Sequence, residues 1–354
     1  MIKSIEGLRV VFALMIFFHH FTKPGYAPFG ACAVVAFFMM SGFVMTAGYH
    51  SKIEETSFSY KSYIKKRISK IYPLHFLGIV LALSVFVVKE LIEGELHYGK
   101  FLYAIPSLFM VQSFIPCEKI FWGGNAVAWF LSDMFFFYLI FPFVCRTILK
   151  YNFRKTVIPV LSIVLVLYFI TVLIIPSKLV HSLVYINPFF RMFDFVLGVL
   201  LYKIYISLSG KEIKSQSKYV AFKRFFGIFV WCLVATSILC SEIVDCRFSL
   251  ASLFWLPIAL LLLFYALVDR RDKDLMISKL SGGGKFTYDF YVIHGSFIVI
   301  FMFFFSFENW SFYFFISSVL MIVIISLVAI IIHYFYNPVA NKFFTKICKL
   351  IMLS

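Results

Sequence analysis

Charge is scarce in this chain. Only 14% of its 354 residues are charged, and Asp and Glu together number 17. Soluble globular domains carry about a quarter charged residues, so an ordinary water-soluble fold is excluded. Short segments of alternating polarity are missing, which excludes a membrane β-barrel. No CxxC pair occurs among the seven cysteines, Cys32, Cys117, Cys145, Cys232, Cys240, Cys246 and Cys348. Most lie in apolar segments, where a thiol behaves as a small buried hydrophobe. A Cys240–Cys246 bridge at an outer surface is the alternative that the spacing leaves. No low-complexity linker and no repeated half is present, so nothing marks off a separate soluble domain. The first apolar run has no cleavage site and leads into a second. It reads as a retained helix, not as a signal peptide.

Apolar and aromatic residues fill the space that charge leaves, at 62% and 21% of the chain. Mean hydropathy is +0.95. Apolar runs of bilayer-crossing length recur from end to end, at roughly 5–21, 30–49, 71–88, 126–149, 157–175, 189–206, 226–241, 250–268, 287–305 and 312–335. The expected fold is therefore an all-α polytopic membrane protein, one membrane-embedded unit over 1–354 with about ten spanning helices. Segment 101–115, FLYAIPSLFMVQSFI, is apolar but short and contains Pro106. It reads as re-entrant or interfacial; a true span there would make eleven.

The formal charge of +16 invites a nucleic-acid reading, and the placement of the cations argues against one. With the N-terminus inside, 26 of the 33 Lys and Arg fall on the inner side. Cytoplasmic loops retain Lys and Arg, so ten spans with both termini cytoplasmic satisfy this rule. The excess charge is then an orientation signal, and no nucleic-acid partner is expected.

Several polar groups nevertheless sit inside the spans. The first span carries Glu6, Arg9, His19 and His20. At 100° per residue, Arg9 and His20 differ by about 20° in azimuth and by about 16 Å along the axis. Glu6 precedes Arg9 by one turn and can pair with it. His19 points about 100° away from His20. Other spans hold Asp133, the Arg191–Asp194 pair and His294. Ionisable groups in a bilayer face a cavity or a partner and mark functional sites; snorkelling to headgroups is the bland alternative. The inner loop YKSYIKKRISKIYP packs Lys61, Lys65, Lys66, Arg67 and Lys70 against a span entrance. Such a cluster suits anionic lipid, and equally a phosphorylated ligand. An imidazole at the far end of the stripe suits proton removal from a hydroxyl near neutral pH.

Six motifs in order give these residues a context. They are Glu6-Gly7-Leu8-Arg9 with His20 eleven residues after the Arg, and Phe37-Phe38-Met39-Met40-Ser41-Gly42-Phe43. Next come Arg67-Ile68-Ser69-Lys70-Ile71-Tyr72-Pro73, then Trp129 to Ser132 followed by Tyr138 to Pro142. Arg191, Phe195 and Gly198 form the fifth, and Tyr288, Tyr291 and His294 the sixth. With these motifs the chain resembles, over essentially its whole length, the acyltransferase 3 family of integral membrane acyltransferases.

The resemblance implies an acyl-CoA-dependent O-acyltransferase of the bacterial inner membrane. Acetyl-CoA or another short acyl-CoA would be the cytoplasmic donor, with no metal. The acceptor would be a hydroxyl of a glycan or lipid-linked sugar at the outer face, as in exopolysaccharide or lipopolysaccharide modification. His20 would be the catalytic imidazole, with Arg9 essential beside it and Glu6 its partner. Arg67 and Lys70, with Lys66, would contact the CoA phosphates. Trp129, Asp133, Arg191, Asp194 and His294 are candidate substrate contacts or site walls; for His294 a packing role is the alternative. Two positions depart from the family pattern. Lys70 stands where the family has a second Arg, keeping the charge but losing the bidentate fork. Met134 stands where many members carry Glu, and the carboxylate is one residue earlier, at Asp133. The rival class is a transporter or flippase of lipid-linked oligosaccharide, since intramembrane Arg, Asp and His also suit a substrate path. A short stretch after the last span leads to the expectation that no outer hydrolase-like domain is appended. Membrane lipid is an expected partner; oligomeric state is not legible.

Overall fold

A computed structural model describes residues 2–22, 29–55, 58–94, 97–151, 153–210, 215–272, 275–305 and 311–353. The loop cations Lys211, Lys214 and Lys273, counted above for orientation, lie outside them.

Among the described residues every regular element is a helix. The first two long helices are α1 (Lys3–Phe21) and α2 (Phe29–Glu54). Then come α3 (Tyr60–Glu93), the short α4 (Gly99–Leu108) and the one-turn α5 (Glu118–Phe121). α6 (Trp129–Lys150) and α7 (Phe153–Ile174) precede a π-helical stretch at His181–Ile186. α8 (Pro188–Ser209), α9 (Gln216–Cys240) and the one-turn α10 (Cys246–Ser249) follow. α11 (Trp255–Arg271) leads through α12 (Met276–Lys279) and α13 (Ser281–Gly284) to α14 (Thr287–Phe304). α15 (Phe312–Ile331) runs through a π-helical turn, Ile332–Tyr336, into α16 (Asn337–Leu353). Ten helices among the described residues are long and apolar enough to cross a membrane, matching the ten apolar runs.

Two boundaries move. α3 begins at Tyr60, where the Ser59 side chain accepts from the Ser62 backbone N–H, so the basic segment 60–70 is the first part of the helix and not a loop before it. The last long helix continues past 335 into α16, whose Phe344 ring lies 5.2 Å from that of Tyr72 on α3.

α4 has 10 residues, about 15 Å of helix, too short to cross a bilayer. Its far end is held inside the bundle. Tyr72 donates to the Leu108 carbonyl at 2.9 Å, and His75 bonds the Ser107 carbonyl at 2.6 Å. Beyond it Met110 adopts φ 56°, and its carbonyl accepts from Ser132 Oγ at 2.7 Å. The 101–115 segment thus forms a short helix and a turn packed on the bundle, with no helix of spanning length.

α1 lies in the middle because two of its faces are apolar. Ile5, Leu8, Phe12 and Ile16 enter the main core, while Ala13, Phe17 and Phe21 enter a second cluster built with α14 and α15. α2 and α8 approach until their backbones touch. A methyl added to Gly42 would overlap the Phe195 carbonyl, and one added to Gly198 would overlap the Met39 carbonyl. Lipid supplies no hydrophobic drive between helices, so such close contact through small residues is what binds a pair.

Candidate active site

The site is organised along α1. Its first turn is capped from 265 residues away: Asp269 on α11 accepts from the Lys3 and Ser4 backbone N–H groups at 3.2 and 3.1 Å. A carboxylate there satisfies unpaired donors and offsets the helix dipole. Glu6 is buried beside it and pairs with Arg9 at 3.2 Å, the i,i+3 contact that the spacing implies. Gly284 presses on the Glu6 backbone so closely that a methyl would collide.

Arg9 belongs to a basic cluster at this end. Lys66, Arg67 and Arg9 all lie within electrostatic reach of Lys70. Tyr138 on α6 is close to both Arg9 and Arg67. The Arg67 guanidinium sits over three rings, 4.4 Å from the centroid of Tyr49, 5.5 Å from Tyr63 and 5.4 Å from Tyr138. Among the described residues its buried Nε has no hydrogen-bond partner, nor does the Tyr63 hydroxyl. Tyrosine faces attract such a cation through the ring quadrupole.

Eleven residues on, His20 has left that cluster by about 16 Å of helix rise. α14 brings a second imidazole to it. α1 and α14 run parallel, with Gly284 against Glu6 near their starts and His294 against His20 further along. His20 Nδ1 and His294 Nε2 are 2.9 Å apart. His294 is fully buried, its ring stacked on Phe290 at 6.1 Å and its Nδ1 bonded to the Tyr291 carbonyl at 2.6 Å. His20 is different: the residue is exposed. His19 turns away, against Gly30 of α2, where no Cβ would fit.

The third polar group lies to one side. Arg191 is completely buried and its guanidinium is shared out within the fold. Nε donates to the Tyr185 carbonyl at 2.7 Å, Nη1 to Asp194 at 2.8 Å and Nη2 to the Leu250 carbonyl at 2.8 Å. Asp194 also accepts from the Trp255 indole at 2.5 Å. These two residues, expected as substrate contacts or walls, spend their hydrogen bonds joining α8, α11 and the π-helical turn. Trp129 packs on Tyr185, ring centroids 5.1 Å apart. Burial pushes the Tyr185 phenol up to about 12, against the pull of Arg191, so it stays neutral. Asp133 is buried and neither carboxylate oxygen has a hydrogen-bond partner among the described residues. Ser113, the nearby hydroxyl, spends its hydrogen on Ser132 Oγ at 2.7 Å.

Comparison with known proteins adds the decisive observation. The profile of the acyltransferase 3 family, described as an acyltransferase domain, matches residues 2–337. The chain belongs to the acyltransferase 3 family. It is similar to the acyltransferase MdmB of Streptomyces mycarofaciens, 27% identical over 320 residues, covering 83% of this chain and 78% of that protein. No solved structure matches. The protein is thus a membrane acyltransferase, with ten helices of spanning length among the described residues. Among the described residues, no group of three or more His, Cys, Asp and Glu is placed to hold a metal ion.

Sequence reasoning brought Arg9, Lys66, Arg67 and Lys70 to one end and His20 to the other. It missed Asp269, Tyr49 and Tyr63, and gave Tyr138 no role beyond its motif; these residues cap or cradle those groups. The triple-tyrosine cradle leaves no local pattern, because its rings come from α2, α3 and α6.

Proposed function

We propose that this acyltransferase moves an acetyl or other short acyl group from cytoplasmic acyl-CoA to a hydroxyl of a surface polysaccharide or its lipid-linked precursor, at the outer face of the bacterial cytoplasmic membrane. One observation carries the reading: α1 bears Arg9 among unspent cations at one end and an accessible imidazole, His20, at the other. The cations suit the nucleotide phosphates of CoA, and the helix between them suits the length of an extended pantetheine arm. Arg67 offers a planar guanidinium whose Nε has no partner among the described residues, and Lys70 a point charge.

In the proposed step His20 removes the proton of the acceptor hydroxyl. The oxygen forms its bond to the thioester carbonyl carbon as the C–S bond breaks. The CoA thiolate leaves and takes the proton back from His20, which restores the free imidazole. The products are the O-acyl sugar and CoA thiol. A second route has the imidazole accept the acyl group and pass it to the hydroxyl.

The test is mass spectrometry of the host's surface glycans with and without this gene. The reading expects the deletion strain to lose the mass of one acyl group from a defined sugar. Glycans identical in both strains contradict a polysaccharide acceptor.

A further inference from the structure

The two imidazoles carry more than proximity. A carbonyl oxygen can only accept, so the 2.6 Å contact to Tyr291 places a hydrogen on His294 Nδ1. No carboxylate contacts His294 among the described residues, and an unpaired charge in a fully buried site is costly. His294 is then the neutral imidazole, and its Nε2 holds a lone pair. Two lone pairs cannot face each other at 2.9 Å, so the hydrogen between the rings belongs to His20 Nδ1. His20 Nε2 is left unprotonated.

We infer that His294 is a positioning residue for catalysis: through its 2.9 Å contact it fixes His20 as the Nδ1–H tautomer and presents His20 Nε2 as the basic nitrogen. This rests on the acyl-transfer reading above and deepens it. Both routes proposed there need an Nε2 lone pair, one to receive the hydroxyl proton and the other to form a bond to the acyl carbon. The chain Tyr291 carbonyl, His294, His20 has the logic of a nucleophile–base–orienter series, with a backbone carbonyl as its anchor and an imidazole in place of the usual carboxylate. A neutral orienter fits its surroundings, since a buried carboxylate would need donors that this part of α14 does not supply.

Histidine substitutions separate this role from packing. Gln places an amide oxygen near where Nε2 of His294 stands and can accept from His20, while Asn mimics Nδ1 and keeps only the Tyr291 side. His294→Gln is expected to retain most of kcat. His294→Asn and His294→Ala are expected to lose on the order of 10²-fold in kcat with KM for acyl-CoA unchanged. The reverse order, with Asn active and Gln inactive, would show a packing role and overturn the inference, as would a normal kcat in His294→Ala. A measurement on the resting protein is independent of activity. Solid-state 15N spectra of histidine-labelled protein in nanodiscs, with His20 assigned by loss of its signal in His20→Asn, should show Nδ1 protonated and Nε2 bare. An Nε2–H tautomer would overturn the proposal. The expected tautomer together with full activity in His20→Ala would instead overturn the catalytic reading of His20 and with it the catalytic role of His294.

Discussion

Arg191 Nη1 and Asp194 meet at 2.8 Å with neither side chain open to solvent. The pair joins α8 to the π-helical turn before it and, through Trp255, to α11. Removing one partner strands the other charge, which costs about 3–5 kcal/mol in buried pairs. Arg191→Ala should therefore lower the yield and melting temperature of detergent-purified protein. Arg191→Met combined with Asp194→Leu should recover part of the loss, since no lone charge remains. A stable, inactive Arg191→Ala would instead return this residue to the substrate site.

Gly42 and Gly198 make a second prediction. Each lies against a carbonyl of the opposite helix, so Gly198→Ala must push α2 and α8 apart. Overpacking of this kind costs about 1–3 kcal/mol. A melting temperature reduced for Gly198→Ala, and unchanged for Gly48→Ala at an open position of α2, is the expected result.

These two contacts also mark what sequence could reveal. Periodicity and apolar length located all ten long helices, because a bilayer-crossing helix must satisfy its own backbone hydrogen bonds and so announces itself as one continuous run. Composition could not place the start of α3, where lysines and arginines continue a helix beyond its apolar part. Spacing along α1 put Glu6 against Arg9, a local relation. The His20–His294, Gly42–Phe195 and Met39–Gly198 contacts join segments more than 150 residues apart, and nothing in either segment alone names its partner. Arg191 and Asp194 are a different case: their spacing in sequence implied the pair, but not the Tyr185 and Leu250 carbonyls that complete the guanidinium's hydrogen bonds.

The Arg67 cradle predicts a division of labour. Arg67→Ala and Lys70→Ala should weaken acetyl-CoA binding, read by titration calorimetry in nanodiscs, and raise KM more than they lower kcat. Arg67→Lys should not restore affinity, because a lysine loses the planar fork that sits over Tyr49, Tyr63 and Tyr138. Unchanged affinity in all three variants would assign these cations to membrane orientation alone.

The most direct test concerns His20. Purified protein in nanodiscs, given isotopically labelled acetyl-CoA and a glycan acceptor, is compared with its His19→Ala and His20→Ala variants. Folding is checked by melting temperature. The account predicts that His19→Ala transfers label at close to the parent rate and that His20→Ala, equally folded, transfers none above background. Label transfer at a normal rate by folded His20→Ala would contradict it.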